Sequence, residues 1–298
     1  LVELVALVTA FVLTFMLYIF IPPLVDGIER KIKADIQSRY GPPTVLQTWY
    51  DILKLMSKEV VTSANPVFLL VPLSLSLTLA LFLAIVTSYI AITHIDPGLG
   101  ALLLVIILSV HTLNILTYFF SSNPFSILGT FRAISIDVLN EIGLALFLIL
   151  MFVIATTSLS SNTLLTLATL IPLLVAIYVS HRRLPYDLHE AEPELASGSL
   201  IEFSGPLLGI HLYGHLLERY VLTSIPVAIV LHLGGPLNNP LLAPLVLHLT
   251  TTALYLVFGV VSAVLGRSKV NLAVKTLMFL YSLAIIIWVG VYVFEHTI

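Results

Sequence analysis

The fold class this sequence predicts is an all-α, polytopic membrane protein of about eight transmembrane helices plus an interfacial amphipathic helix. Three observations predict it. Hydrophobic residues make up 59% of 298 and charged residues only 10%. Mean hydropathy is +1.08. Apolar runs also recur at lengths that match a bilayer. The first two place the chain in the membrane class before any pattern is read. The third follows from a hydrocarbon core roughly 30 Å thick, which takes about 20 apolar residues per helical span.

Eight stretches meet that length, at approximately 2–25, 67–92, 98–120, 132–156, 163–180, 203–231, 241–265 and 272–294. The first is long and has no small-residue cleavage pattern after it, so it reads as a span and not as a cleaved signal. Pro22-Pro23 is expected to kink its end, and Pro206 and Pro226 to disturb the sixth span. Little chain remains for a soluble unit, and residues 1–298 read as a single integral membrane domain. No internal repeat is visible, which counts against the common secondary-transporter folds.

The connection at 26–66 is the longest. Its opening, "DGIERKIKADIQSRYGPP", is helical in pattern until Gly41-Pro42-Pro43 stops it. The next stretch, "TVLQTWYDILKLMSKE", places Leu46, Trp49, Tyr50, Leu53 and Met56 in one stripe, with Asp51, Lys54 and Lys58 toward the other side. An apolar stripe with a charged back predicts a helix lying in the interface plane. The rival is a surface helix packed on a miniature core, for which some 40 residues leave little material.

Charge sets orientation. There are 13 Lys and Arg, and 12 fall in or beside alternate connections. These are Arg30, Lys31, Lys33, Arg39, Lys54 and Lys58 after the first span, and Arg132 at the start of the fourth. Arg182 and Arg183 follow the fifth span, Arg267 and Lys269 the seventh, and Lys275 lies a turn into the eighth. The opposite connections, near 93–98, 157–162 and 232–240, hold none. By the positive-inside bias the large polar loops face the cytoplasm and both termini lie outside, in a cell membrane.

Cysteine is absent. Disulfides, thiolate metal sites and any iron–sulfur cluster held by this chain are thereby excluded, and the composition fits a heat-adapted source. No Gly-rich phosphate loop, Ser-His-Asp set or dinucleotide fingerprint occurs, so self-contained catalysis has no candidate site. Nothing in the charge pattern points to nucleic acid.

The acids in the apolar runs carry the remaining information. Asp137 and Glu141 are spaced i, i+4 and share a helix face. An ionised carboxylate in hydrocarbon costs several kcal/mol, so the pair is expected to face a polar interior or to bind a proton. Mutual repulsion is expected to raise at least one pKa, which suits that acid to carrying a proton. The bland alternative is pairing with a cation; Arg132 lies about 140° round the helix from Asp137, at the 100° step of an α-helix, so it is not the automatic partner. In "HLYGHLLERY", His211, His215 and Glu218 line one face with Arg219 beside them. This reads as a polar seam conducting protons or water, ahead of a metal site, since the H-E-x-x-H arrangement is missing. Mutual neutralisation of Glu218 and Arg219 is the structural alternative. His94, His111, His232 and His248 read as satisfied polar residues. The segment "RRLPYDLHEAEPELASGSLIEFSG" at 182–205, containing the acidic loop 181–202, adds Asp187, Glu190, Glu192, Glu194 and Glu202. A solvated acidic loop is the ordinary reading of such a run, but the interleaved Pro, Gly and apolar residues fit a loop folded into a cavity lining.

Three separated segments together resemble one family. They are "ERKIKADIQSRYGPPTVLQTWYDILKLMSKE" at 29–59, "SSNPFSILGTFRAISIDVLNEIG" at 121–143 and "RLPYDLHEAEPELASGSLIEFSG" at 183–205. They resemble the heel membrane subunit of respiratory complex I and its relatives in group 4 membrane-bound nickel–iron hydrogenases, across nearly the whole chain. Only Pro43, Thr44, Val45 and Leu46 separate Gly41-Pro42 from Gln47, and "GRSKVNLAVK" lacks the longer Arg-, Asp- and Trp-containing pattern. Both departures are similar to the hydrogenase branch and weaken a quinone site.

The resemblance implies an energy-coupling anchor with no redox centre of its own. Its partners would be hydrogenase-like large and small subunits holding iron–sulfur clusters and a nickel–iron centre, antiporter-like membrane subunits, and lipid. It implies further that Asp187, Glu190, Glu192, Glu194 and Glu202 begin an acidic path that Asp137, Glu141 and Glu218 extend. Arg30, Lys31, Arg39, Asp51, Lys54, Arg132 and Arg183 would shape the docking loops. Electron transfer, from ferredoxin to protons, would then drive H+ or Na+ translocation. The alternatives are a quinone-site subunit, the equivalent subunit of a sulfur-reducing complex, a self-sufficient ion transporter and a purely structural anchor.

Overall fold

The computed structural model describes residues 2–61, 66–93, 95–121, 123–157, 163–188, 198–234 and 242–297. Nine α-helices lie among them: α1 (Val2–Ile36), α2 (Gln47–Met56), α3 (Pro66–Ile92), α4 (Pro97–Phe119), α5 (Pro124–Thr156), α6 (Thr163–Ser180), α7 (Gly205–Leu233), α8 (Leu242–Val264) and α9 (Val270–Thr297). A 3-10 turn occupies Gly198–Leu200. All but α2 are long and apolar enough to cross a membrane. Six of the eight agree with the expected runs to within three residues at either end; α1 and α5 do not.

α1 continues to Ile36, eleven residues past the expected apolar run and through Pro22 and Pro23, so that the span and most of the helical stretch before Gly41 form one helix. The ring nitrogens leave the carbonyls one turn back without amide donors. The Ile19 carbonyl, four residues before Pro23, instead accepts from the Tyr213 hydroxyl of α7 at 3.1 Å. The neighbouring helix thus supplies the bond that proline withholds. Tyr213→Phe is expected to leave that oxygen unpaired and to lower stability by ~1–3 kcal/mol, read as a lower melting temperature of the purified protein.

α5 begins eight residues earlier than the apolar run indicated. Pro124 occupies the first helical position, and the Asn123 side chain caps the end by accepting from the Phe125 amide at 3.0 Å. Arg132 therefore sits two turns inside the helix and not at its start.

α7 is the central element. In its most apolar window 67% of residues are buried, against 11% for α9 on the periphery. α3, α8, α2 and α1 pack around α7, while α5 and α6 form a second group that carries α9. The main core runs through both groups, with Tyr18, Leu83, Phe147, Leu217, Tyr220 and Tyr255 among its buried side chains. α2 turns Thr48 and Ile52 inward, whereas Leu46, Tyr50, Leu53 and Met56 of the expected stripe are exposed. Trp49 is wedged between the rings of Phe20 and Tyr213.

Candidate functional site: a buried carboxylate–imidazole–guanidinium network

α6 stops at Ser180, and the chain reverses through His181, Arg182 and Arg183, all buried. Arg182 takes a left-handed backbone conformation, φ 50°, which disfavours side chains other than glycine and costs ~1–2 kcal/mol. Its side chain repays this position. The guanidinium donates to Asp137 at 2.8 Å and to the Tyr118 hydroxyl at 3.0 Å. Burial opposes its charge, but Asp137, Tyr118 and Glu218 together outweigh that and hold the guanidinium pKa above its ordinary value. Arg183 points the other way. It binds Glu29 of α1 at 2.7 Å and lies 4.4 Å over the Tyr255 ring, while Lys33 reaches the other oxygen of Glu29 at 2.6 Å. Gly259 makes room for this carboxylate, since a Cβ there would stand 2.6 Å from Glu29 Cγ. His181, between these charges, is held well below the usual imidazole range by burial and by Arg183 and Arg219, so it is neutral.

One turn deeper along α5 from Asp137, Glu141 meets His111 of α4, with Nδ1 3.5 Å from the carboxylate. The other ring nitrogen, Nε2, stands 3.2 Å from Glu218 of α7. Glu218 also accepts from Asn114 at 2.8 Å and lies 3.7 Å from His215. His215 stacks on His211, with centroids 6.0 Å apart, and His211 Nε2 stands 3.5 Å from the Tyr118 hydroxyl. Contacts thus run from Asp137 through Arg182, Tyr118, His211, His215, Glu218 and His111 to Glu141. Each is a group that can hold or pass a proton or a charge, inside a helical bundle whose surroundings penalise every unpaired one.

A cavity of about 210 Å³ opens between α1, α2 and α7, beside His215. Asp26, Arg30, Thr48, Asp51 and Arg219 line it. Its charges are largely internally matched: Thr48 donates to Asp26 at 2.9 Å, and Arg30 and Gln47 bind Asp51 at 3.0 and 2.9 Å.

The expected site residues divide accordingly. Asp137, Glu141 and Glu218 come together through groups on four elements. Asp187 pairs with Arg267 at 3.0 Å, and Glu202 accepts from Asn123 at 3.0 Å. Glu190, Glu192 and Glu194 lie outside the described residues. Arg39 and Lys54 are exposed and Lys31 is half-buried, whereas Arg30 and Asp51 bind one another. Arg183, expected among the docking loops, is instead 4% exposed and locked to Glu29. The cation beside Asp137 is Arg182 and not Arg132. Among the described residues no cluster of His, Asp and Glu has the makings of a metal site.

Sequence reasoning passed over His111, Asn114, Tyr118, Asp26 and Glu29. His111 reads from the sequence as a satisfied histidine, yet it shares a face with Asn114 at i, i+3 in an otherwise apolar helix. Glu29 and Lys33 sit at i, i+4 in the same way. Both spacings are visible in the sequence; the partners on distant helices are not.

Comparison with known proteins adds to this geometry. Residues 7–293 match the protein family described as NADH dehydrogenase. The chain is 29% identical to hydrogenase-4 component C of Escherichia coli (strain K12), over 92% of both sequences. It is 31% identical to formate hydrogenlyase subunit 4 of the same organism, over 80% of this chain and 82% of that one. In fold it is similar to a chain of the membrane-bound sulfane sulfur reductase, an archaeal respiratory membrane complex. There the TM-score is 0.72 with 19% identity, covering 96% of this chain and 99% of that one.

Proposed function

Because this chain belongs to the NADH dehydrogenase family, we propose that it is the membrane anchor and energy-coupling subunit of a redox-driven ion pump of the hydrogenase type. The observation that carries this reading is the placement of Asp137, Glu141 and Glu218 in the bundle interior, tied to cations and imidazoles that reach back to Arg182 in the connection after α6. A charge change at that end of the bundle has a short electrostatic route to Glu141, in surroundings where screening by water is weak. The relatives named hydrogenase-4 component C and formate hydrogenlyase subunit 4 support a hydrogenase-like arm, as does the short Gly41–Gln47 segment.

In this reading the Lys- and Arg-rich end of the bundle faces the cytoplasm and receives the soluble arm. The arm's large and small subunits hold the iron–sulfur clusters and the nickel–iron centre. Antiporter-like membrane subunits stand alongside and move H+ or Na+. α2 lies in the membrane interface, its exposed Leu46, Tyr50, Leu53 and Met56 toward lipid. The chain itself supplies no redox chemistry; it supplies charges that shift when the arm turns over.

Glu141→Gln in the assembled complex tests the reading. Redox turnover is expected to continue in the presence of an uncoupler, while ion uptake into liposomes per electron falls at least about tenfold, because the amide neither ionises nor carries a proton. Undiminished uptake per electron would remove the residue from coupling. Turnover with a quinone and without hydrogen would reassign the cavity at Arg30 and His215 to a lipid-soluble acceptor.

A further inference from the structure

We propose that Glu218, His111 and Glu141 form a proton-exchange triad. In it Glu218 is a fixed anion that orients the ring, and His111 Nδ1 exchanges a proton with Glu141. This assigns the two carboxylates different roles and rests on the energy-coupling reading above.

The chemistry of the ring comes first. Imidazole bears hydrogens on both nitrogens only when protonated; the neutral ring donates from one and presents a lone pair on the other. His111 is 6% exposed and has a carboxylate near each ring nitrogen, Glu218 at 3.2 Å from Nε2 and Glu141 at 3.5 Å from Nδ1, with Nε2 not aligned for a hydrogen bond in this arrangement. Two ionised acids in those positions call for an imidazolium. A neutral ring fits only once the carboxylate facing its lone pair has taken a proton.

The two acids are not equivalent. Besides His111, Glu218 has an amide donor at 2.8 Å from Asn114 and the His215 ring at 3.7 Å, and only 7% of its side chain is exposed. That shell stabilises the anion whatever the state of His111. Glu141 has His111 as its one ionic partner among the described residues, at the longer distance of 3.5 Å, and 22% of its side chain is exposed. Glu141 is therefore the acid that gains and loses the proton. The step is balanced within the pair. The Nδ1–H bond breaks and a Glu141 O–H bond forms, leaving a neutral ring with its hydrogen on Nε2, the nitrogen nearer Glu218; the reverse step restores the imidazolium. An imidazole poised between an orienting carboxylate and a proton partner follows the logic of general acid–base sites.

What biases the exchange is also in place. Asp137 lies one turn from Glu141 on α5, and its charge is offset by Arg182 at 2.8 Å. α7 presents His215 and His211 on the far side, beside Arg219. α3 contributes no Asp, Glu, Lys, Arg or His in its 27 residues. A movement of Arg182 away from Asp137 adds negative charge beside Glu141 and favours its protonation by His111. Its return favours release.

The test uses the whole complex in liposomes, with His111→Gln, Glu218→Gln and Glu141→Gln compared for ion uptake per electron across pH. His111→Gln is expected to lose uptake at least about tenfold. Glu218→Gln is expected to lower uptake at neutral pH and to move its pH limb by roughly one unit or more to the acid side, because the imidazolium has lost its anion. Loss of uptake in Glu141→Gln together with normal uptake in His111→Gln would overturn the triad and leave the coupling role intact. An unmoved limb in Glu218→Gln would do the same. Normal uptake in Glu141→Gln would instead defeat the coupling role itself. Where His111→Gln does not assemble, infrared difference spectra with ring-labelled histidine decide. An imidazolium in the parent complex that is lost in Glu218→Gln supports the triad, and a neutral ring in both overturns it.

Discussion

Arg182→Ala is expected to be among the most damaging single substitutions in this chain, costing ~3–5 kcal/mol, the range for removing one partner of a buried ion pair. Asp137 is 8% exposed, and its 2.8 Å bond to Arg182 is the ion pair that meets its charge. Tyr118, fully buried, loses its guanidinium donor in the same stroke. Thermal unfolding of the purified protein measures the loss, and Asp137→Asn added to Arg182→Ala is expected to recover part of it. The backbone offers an internal control. Residue 182 has φ 50°, a conformation glycine enters freely, so Arg182→Gly is expected to melt above Arg182→Ala by the equivalent of ~1 kcal/mol. Equal melting of the parent and Arg182→Ala would show that Asp137 is protonated or hydrated, not paired.

Gly27→Ala is expected to be comparably severe for a purely steric reason. A Cβ on Gly27 would stand 1.9 Å from the Val45 carbonyl oxygen and 2.9 Å from its carbon. Backbone atoms cannot rotate aside as a side chain can, so the segment leading into α2 must be displaced. Overpacking of this kind costs ~1–3 kcal/mol and occasionally more. Here it also pulls Thr48 from Asp26 and Asp51 from Arg30, bonds of 2.9 and 3.0 Å that hold α2 to α1. Lowered melting temperature and faster proteolysis near residues 37–46 are the expected readouts. Cleavage and melting like those of the parent would mean that the loop yields at no cost.

Much of the architecture was legible because the bilayer imposes it. Span lengths, the single long connection and the helix at 47–56 follow from apolar runs and from a stripe with period near 3.6. The two boundary errors share a cause. The charged stretch from Asp26 and the mixed stretch 124–131 interrupt apolar character, but a helix end is decided by hydrogen bonds. Tyr213 supplies the one that Pro23 withholds, and Asn123 supplies the cap that starts α5. The acids of the site were legible because charge within hydrocarbon is conspicuous. Their partners were not: Arg182 reaches Asp137 across 45 residues, and His111 reaches Glu218 across a separation of more than 100. The match of Arg183 is hidden for the same reason, since Glu29 is 154 residues away. Pattern reports which residues are costly to bury; only the fold reports what they are buried against.

The sparse packing of α9 has a practical consequence. Residues such as Leu272, Met278, Phe279 and Ile286 are more than half exposed on its surface, and apolar contact with lipid tails is no worse for them than contact with protein. Attachment to α5 relies on close fit, the Tyr281 ring lying over Gly143, and on the bond from its hydroxyl to Asn140. Solvent chosen for extraction therefore matters more to this helix than to any other. Harsh, short-chain detergents will peel it away first, whereas nanodiscs or mild long-chain amphiphiles will keep the particle whole.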